Sequence, residues 1–372
     1  MTTRRRFLQL TAGATGAFAL QAGGVRGAAV GTASKQLRIL VLGGTGFIGP
    51  HQVRAALDRG HKVTVFNRGR RSGLFGDAVE ELIGNRDSQI DDGLKALAGD
   101  RTWEVVIDNS GYVPRHVRDS AELLKGRVGR YLYISTVAVY PVKGGGIFDE
   151  SASLAAAPEP TVEEVTWETY GPLKAECDRV VRAILGDACT VVRPTYIVGP
   201  GDTTDRFTYW VDRIHRGGDV LAPSHPDLGI QWVDVRDLCP WVVDLCERDV
   251  AGVFNAAGPS SRVTREGLMW GIRATTAAPV TFWWPSDALL EELEISPPML
   301  GTGDDAYLAD NQASNAAGIV YRPLTDTVAA TLEWWRAQDA ERRAKPRGWI
   351  SEDLERKAIA RLRVPSAEGA AS

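Results

Sequence analysis

From Leu37 to about residue 200 the chain alternates short, almost wholly apolar runs with longer stretches in which apolar residues recur every three or four positions. Leu37–Leu42 (LRILVL), Lys62–Phe66, Glu80–Ile83, Trp103–Asp108, Tyr131–Ser135 and Cys189–Arg193 read as strands buried on both faces. A stretch ending at Arg59 and closed by Gly60, then Val113–Lys125 and Tyr170–Leu185, supply helices between them. Regular alternation of this kind predicts an α/β fold, a doubly wound parallel sheet with helices on both faces, over residues 35–200. Gly144–Glu164 breaks the rhythm with Gly, Pro, Ala and Glu and reads as a long exposed excursion. Beyond Gly199 the pattern changes again, and nine of the eleven tryptophans lie there. A smaller C-terminal lobe is therefore expected over 201–340, with Gly252–Ala256 as one strand returning to the main sheet. Residues 341–372, which include the charged amphipathic stretch Ser351–Arg363, read as peripheral.

Composition adds little about the fold but excludes several classes. With 372 residues, 44% of them apolar and 24% charged, the chain is an ordinary globular one. Its formal charge of −4 is uneven, because residues 1–34 hold Arg4, Arg5, Arg6 and Arg26 and no acid, which leaves −8 on the rest. That acidic body is a poor match for nucleic acid or an anionic membrane. The four cysteines (Cys177, Cys189, Cys239, Cys246) form no CxxC pair and read as buried small hydrophobes, and the five histidines show no metal-ligand spacing. Neither a phosphate loop of the P-loop type nor a GxSxG nucleophile motif occurs.

The basic start Thr3-Arg4-Arg5-Arg6-Phe7-Leu8, the short Gly/Ala-rich apolar run from Leu10 to Gly24 and the small residues that follow resemble a twin-arginine export signal. The run is too short and too rich in glycine to span a bilayer. The resemblance implies recognition by the twin-arginine translocation machinery, cleavage between Gly27 and Lys35, no stable membrane insertion afterwards, and a periplasmic or secreted destination. It also implies a protein that crosses the membrane already folded, with any cofactor loaded.

Gly43-Gly44-Thr45-Gly46-Phe47-Ile48-Gly49 stands between the first strand and the first helix. Glycines there permit a tight turn and close approach of backbone to a pyrophosphate, and the helix start offers free N–H groups to it. About twenty residues on, where a carboxylate would bind the ribose 2′-hydroxyl of NAD, the chain reads Phe66-Asn67-Arg68-Gly69. A guanidinium at Arg68 would pair with a 2′-phosphate, so NADP is expected in preference to NAD. Tyr170-Gly171-Pro172-Leu173-Lys174 is the single YxxxK of the chain and places phenol and ammonium one helical turn apart. An ammonium nearby lowers the phenol pKa, which would make Tyr170 an acid/base. Ser135-Thr136-Val137-Ala138-Val139-Tyr140 puts hydroxyls at the carboxyl edge of the sheet, where open α/β folds bind ligands.

Together with Arg193-Pro194-Thr195-Tyr196-Ile197-Val198-Gly199-Pro200 and Gln231-Trp232-Val233-Asp234-Val235-Arg236-Asp237, these motifs occur in the order of a known family. The chain resembles the short-chain dehydrogenase/reductase superfamily in its extended or atypical branch, the NAD-dependent epimerase/dehydratases, over about residues 37 to 335. The resemblance implies a Rossmann domain and a C-terminal lobe that closes over a small-molecule substrate. It also implies that Thr136 holds the substrate oxygen, that Tyr170 moves the proton, and that Lys174 binds the nicotinamide ribose while tuning Tyr170. Asn85 falls near the adenine position, Ser110 and Tyr112 would line the cofactor cleft, and Pro194 would flank the nicotinamide. In the lobe, Arg206, Tyr209 and Trp210 are expected to face a sugar-like or ring substrate.

The implied activity is hydride transfer at a carbinol or carbonyl carbon, as oxidoreductase, epimerase or dehydratase. Export sharpens it, because an enzyme outside the cytoplasm should keep its nicotinamide bound and regenerate it in place. Many relatives are homodimers. The competing expectation is a fold kept for binding, either redox-sensing or similar to chloroplast RNA-binding proteins.

Overall fold

Apolar runs flanked by glycine become the strands of a parallel sheet in the computed structural model, which describes residues 33–141, 146–301 and 308–364. Residues 1–32, most of the 1–34 segment expected to be an export signal, lie outside the described residues. In chain order the first half runs β1 (Arg38–Leu42), α1 (Gly49–Asp58), β2 (Lys62–Asn67), β3 (Val79–Ile83), β4 (Trp103–Asp108), α2 (Pro114–Leu124), β5 (Val128–Ile134), β6 (Ile147–Phe148), α3 (Trp167–Leu185) and β7 (Cys189–Pro194). The second half adds β8 (Tyr196–Val198), α4 (Arg206–Arg216), β9 (Gly218–Leu221), β10 (Gly229–Asp234), α5 (Val235–Glu247), β11 (Gly252–Ala256), β12 (Gly258–Thr264) and α6 (Arg265–Arg273). From Ala33 onward the chain is one compact unit.

Seven strands form the main sheet in the order β11-β7-β5-β4-β1-β2-β3, every neighbouring pair parallel. This is the expected doubly wound α/β architecture. Period-two alternation explains its two cores: in β1, Ile39 and Val41 meet Val53 of α1 and Leu238 and Val242 of α5, whereas Leu40 and Leu42 meet Val117 of α2 and Val181 of α3. Fully buried side chains of this size contribute roughly 1.5–3 kcal/mol each. All four cysteines are buried and free, consistent with their reading as small core hydrophobes.

A third apolar cluster holds the later elements together. Phe207, Trp210 and Ile214 of α4 pack on Ile230 and Trp232 of β10 and on Leu268 and Ile272 of α6. The segment after β5 is mostly exposed, as expected, but not loose: Phe148 stacks on Tyr140 with ring centroids 5.2 Å apart, and Glu150 accepts the Asn255 amide at 2.7 Å. Among the described residues, no helix is long and apolar enough to cross a membrane.

One buried polar cluster joins these layers. Arg193 Nε at the end of β7 donates to Asp178 Oδ2 of α3 at 2.9 Å, its Nη1 donates to the Tyr140 hydroxyl at 2.8 Å, and that hydroxyl donates to Asn255 Oδ1 at 2.8 Å. Both members of the ion pair are almost fully buried. Asp178→Ala strands the guanidinium, and the expected result is a loss of about 3–5 kcal/mol in stability, read from the urea unfolding midpoint.

Candidate active site

The carboxyl ends of β1, β4, β5 and β7 open into a cavity of about 1250 Å3, larger than an ordinary small-molecule pocket. Gly43, Gly46, Phe47 and Ile48 form one wall, Thr136, Tyr170 and Lys174 another, and Pro194, Tyr196 and Arg206 the far end. Gly43 takes φ +87°, a left-handed turn that suits glycine. Gly44 and Gly49 shape the turn from behind: a methyl on Gly49 would lie 2.5 Å from the Gly44 carbonyl carbon, and one on Gly44 2.6 Å from Val65. Helix α1 begins at Gly49 with Pro50, which has no N–H, in its first turn, and the His51 and Gln52 amides both donate to the Ile48 carbonyl. His51 Nε2 lies 2.9 Å from the Pro200 carbonyl, which requires it to donate, and ties α1 to the loop beyond β8.

The second wall is built from β4, β5 and α3. Asp108 closes β4 and accepts Arg86 Nη2 at 2.8 Å, the Tyr131 hydroxyl at 2.7 Å and the Ser110 amide at 3.0 Å, which shapes the turn through Tyr112. Thr136 follows β5 and caps a short helical turn through the Ala138 amide at 3.2 Å. Thr166 caps α3, so Trp167, Tyr170 and Lys174 follow on one face. The Lys174 ammonium donates to the carbonyls of Gly111 and Ile134, each at 2.8 Å, and sits 4.2 Å from the Tyr133 ring centroid.

This placement corrects the expected electrostatics. Burial pushes the Tyr170 phenol up to about 12, with Tyr112 adding to the rise and the Thr136 hydroxyl and Arg206 opposing it. Burial also brings the Lys174 ammonium down to about 8. The lysine does not lower the tyrosine here, because its charge is spent on two carbonyls at the sheet edge instead of facing the phenol. Tyr170 therefore holds its proton, and the site rests in the general-acid form.

The lobe residues divide. Arg206 lines the cavity and lies over the Tyr196 ring at 5.1 Å. Tyr209 and Trp210 do not face it: both are buried, and the Trp210 indole donates to the Pro298 carbonyl at 2.8 Å. Arg206 opens α4 at the cavity, while Tyr209 and Trp210, one turn further along, join Phe207 and Ile214 in an apolar cluster, where their apolar surface is worth more than on a wet wall.

On the cofactor side, Arg68 is exposed and stands outside the cavity lining, while Asn67 is buried and donates to Glu81 Oε1 at 2.8 Å. Thr45 contributes its carbonyl to Arg71 Nη1 at 3.0 Å, a link across the turn that sequence alone did not show. Asn85 Oδ1 caps the Asp87 amide at 3.1 Å. Ser110 Oγ and Asn109 Oδ1 are buried without a hydrogen-bond partner beside the glycine turn. Tyr112 is 45% exposed and tilts toward Tyr170 at 6.4 Å. Sequence reading missed Trp167, Tyr196, Ile230, Met299, Leu300 and Arg347 among the lining residues. Two of them left a signal: Trp167 by its position three before Tyr170, and Tyr196 by standing in the Arg193–Pro200 motif beside Pro194.

A model of the NAD dependent epimerase/dehydratase family matches residues 39–257. Among characterised proteins, the chain is 26% identical to the chloroplast stem-loop binding protein of 41 kDa b of Arabidopsis thaliana, over 65% of this chain and 64% of that protein's length. It is 23% identical to the ceramide reductase of Caulobacter vibrioides, over 85% of this chain and 97% of that protein. A solved structure of UDP-glucuronic acid 4-epimerase from Bacillus cereus in complex with NAD superposes with a TM-score of 0.61 at 15% identity, covering 82% of this chain and 99% of that one.

A side-chain NMR titration of the ligand-free protein should show the Lys174 amine with a midpoint near 8, and a midpoint near the ordinary 10.5 would contradict the burial described here. Because the folded value lies below the unfolded one, the folded state holds fewer protons between about pH 8 and 10.5. This group by itself therefore adds stability as pH rises through that interval.

Proposed function

The chain belongs to the NAD dependent epimerase/dehydratase family, and we propose that its cavity carries out hydride transfer at a carbinol or carbonyl carbon of a sugar-like or ring substrate. The observation that carries this reading is the convergence of Thr136, Tyr170 and Lys174 with the glycine turn on one cavity. A nicotinamide dinucleotide fits what is there. A side chain at Gly46 would meet nothing within 4 Å, and the unpartnered Ser110 Oγ and Asn109 Oδ1 are acceptors or donors left for a ligand. Gly43, Gly46 and the start of α1 would hold its pyrophosphate, Ser110 and Tyr112 its middle, and Lys174 and Pro194 its nicotinamide end. When bound it supplies a hydride donor or acceptor.

The chain's own groups do the rest. Thr136 orients the substrate oxygen by its hydroxyl, and Tyr170, protonated at rest, gives its proton to that oxygen in the reducing direction and takes it back in the oxidising one. For the reverse step the phenolate must form, and a Lys174 ammonium released from one carbonyl toward the reacting end would favour it. Because burial brings Lys174 down to about 8, that charge is present only below about pH 8.

NADP in preference to NAD is part of the proposal. No carboxylate follows Asp58 before Asp77, and the nearby Glu81 is engaged by Asn67, whereas Arg68 and Arg71 flank the turn. Export by the twin-arginine route, to the periplasm or beyond, is also proposed, on the order of Arg4, Arg5, Phe7 and the apolar run. It favours reactions that return the cofactor to its starting state, such as epimerisation or dehydration. A second reading, a binding module, is favoured by the likeness to a stem-loop binding protein. The acidic body and the assembled Thr136, Tyr170 and Lys174 wall weigh against it.

Tyr170→Phe should lower turnover by about 10²–10⁴-fold while leaving cofactor affinity unchanged. A binding module would show no turnover to lose, and stem-loop RNA affinity indifferent to the change. Protein lacking residues 1–34 should carry nicotinamide through gel filtration, and mass spectrometry of the extract should find the 2′-phosphorylated form. NAD in the extract would end the NADP preference, and an empty, rapidly exchanging protein would count against cofactor retention.

A further inference from the structure

We propose that Trp167 makes this cavity a reader of apolar substrates, in which an aromatic or other apolar group attached near the reacting carbon packs on the indole; the proposal rests on the hydride-transfer reading above. Trp167 is the first residue of α3, three before Tyr170 and seven before Lys174, so it stands over the reacting end on the same helical face. It is 81% exposed, yet it lines the cavity, as do Val165 and Tyr112, each 45% exposed. A lone exposed apolar side chain needs no explanation, but three gathered at one mouth form a patch of the kind that marks a binding site.

The interior continues that character. Tyr196, Ile230, Met299 and Leu300 supply the wall facing Tyr170. Each charged group of the lining makes at least one hydrogen bond within the protein, Arg265 to the Ser224 and Leu300 carbonyls, each at 2.9 Å. Arg206 Nε donates to Thr204 Oγ1 at 3.0 Å, Arg347 Nη1 donates to the Thr203 carbonyl at 3.1 Å, and Asp202 accepts the Thr204 hydroxyl at 2.7 Å. Glu168, beside Trp167, accepts the Thr166 hydroxyl at 2.7 Å. An apolar body entering there displaces only water from Trp167, Val165 and the inner wall. The specificity is therefore set by a face of the catalytic helix itself, next to the proton donor.

The test uses a neutral naphthyl ethanol as probe and UDP-glucose as its contrast, each titrated calorimetrically into protein saturated with NADP. The naphthyl carbinol should bind, Trp167→Ala should weaken it about tenfold, and Trp167→Phe should restore most of the loss. UDP-glucose binding should not respond to Trp167→Ala. The high exposure of Trp167 lets the variants fold, and matching circular dichroism melts check this. No binding of the naphthyl carbinol, or equal affinity in wild type and Trp167→Ala, overturns the proposal, as does UDP-glucose binding that needs the indole. Nicotinamide binding, followed by quenching of tryptophan fluorescence, judges the hydride-transfer reading separately: no nicotinamide binding overturns that reading and the Trp167 proposal with it, whereas nicotinamide binding without a Trp167 effect overturns the Trp167 proposal alone.

Discussion

Everything at the reacting end depends on where α3 lies, and a buried charge decides that. Arg193, at the carboxyl end of β7, is almost fully buried and meets Asp178 of α3 at 2.9 Å. An unpaired guanidinium in that place would be strongly unfavourable, so the helix has little freedom to slide or roll. Asp178 lies four residues after Lys174 and eight after Tyr170, on the same face, and fixing one fixes the others. The Tyr140 hydroxyl and Asn255 extend the constraint to the loop after β5 and to the edge strand β11. Tyr170 is thus carried by a helix pinned to the sheet and not by a flexible loop, which is what the proposed role of acid requires.

The same burial sets the resting chemistry. Tyr170 is pushed up and Lys174 is pulled down, each toward its neutral form, because the wall they share is apolar and the ammonium is already committed to two carbonyls. In the mechanism proposed above, such a pair serves as an acid first, and a base forms once the hydrogen bonds of Lys174 rearrange. The Ser110 and Asn109 oxygens, just after β4 on the same wall, are further buried polar atoms with no partner among the described residues.

Much of this was legible in the linear pattern. The strands of the parallel sheet appear as apolar runs within a few residues of their observed ends, since a strand buried on both faces has no polar positions to disguise it. The glycine turn is equally plain, because only glycine serves where Gly43 is left-handed and Gly49 abuts the Gly44 backbone. Tyr209 and Trp210 show the limit: a polar and aromatic run following a ligand-flanking strand looks like a lining, yet one helical turn separates Arg206 on the cavity from two rings in the core. The engagement of Lys174 by Gly111 and Ile134 could not have been read either, as both partners are backbone carbonyls distant in sequence.

Local sequence determined the elements, the turn and the identity of the groups able to move a proton, because periodicity, glycine conformation and side-chain chemistry act over a few residues. Tertiary structure alone decided which faces those elements present, what each charge is paired with and how far each pKa moves. Those depend on burial and on partners that approach from distant parts of the chain. The YxxxK spacing placed Tyr170 and Lys174 together; only packing showed that the lysine faces the sheet edge, that the tyrosine stays protonated, and that Trp167 stands exposed above them both.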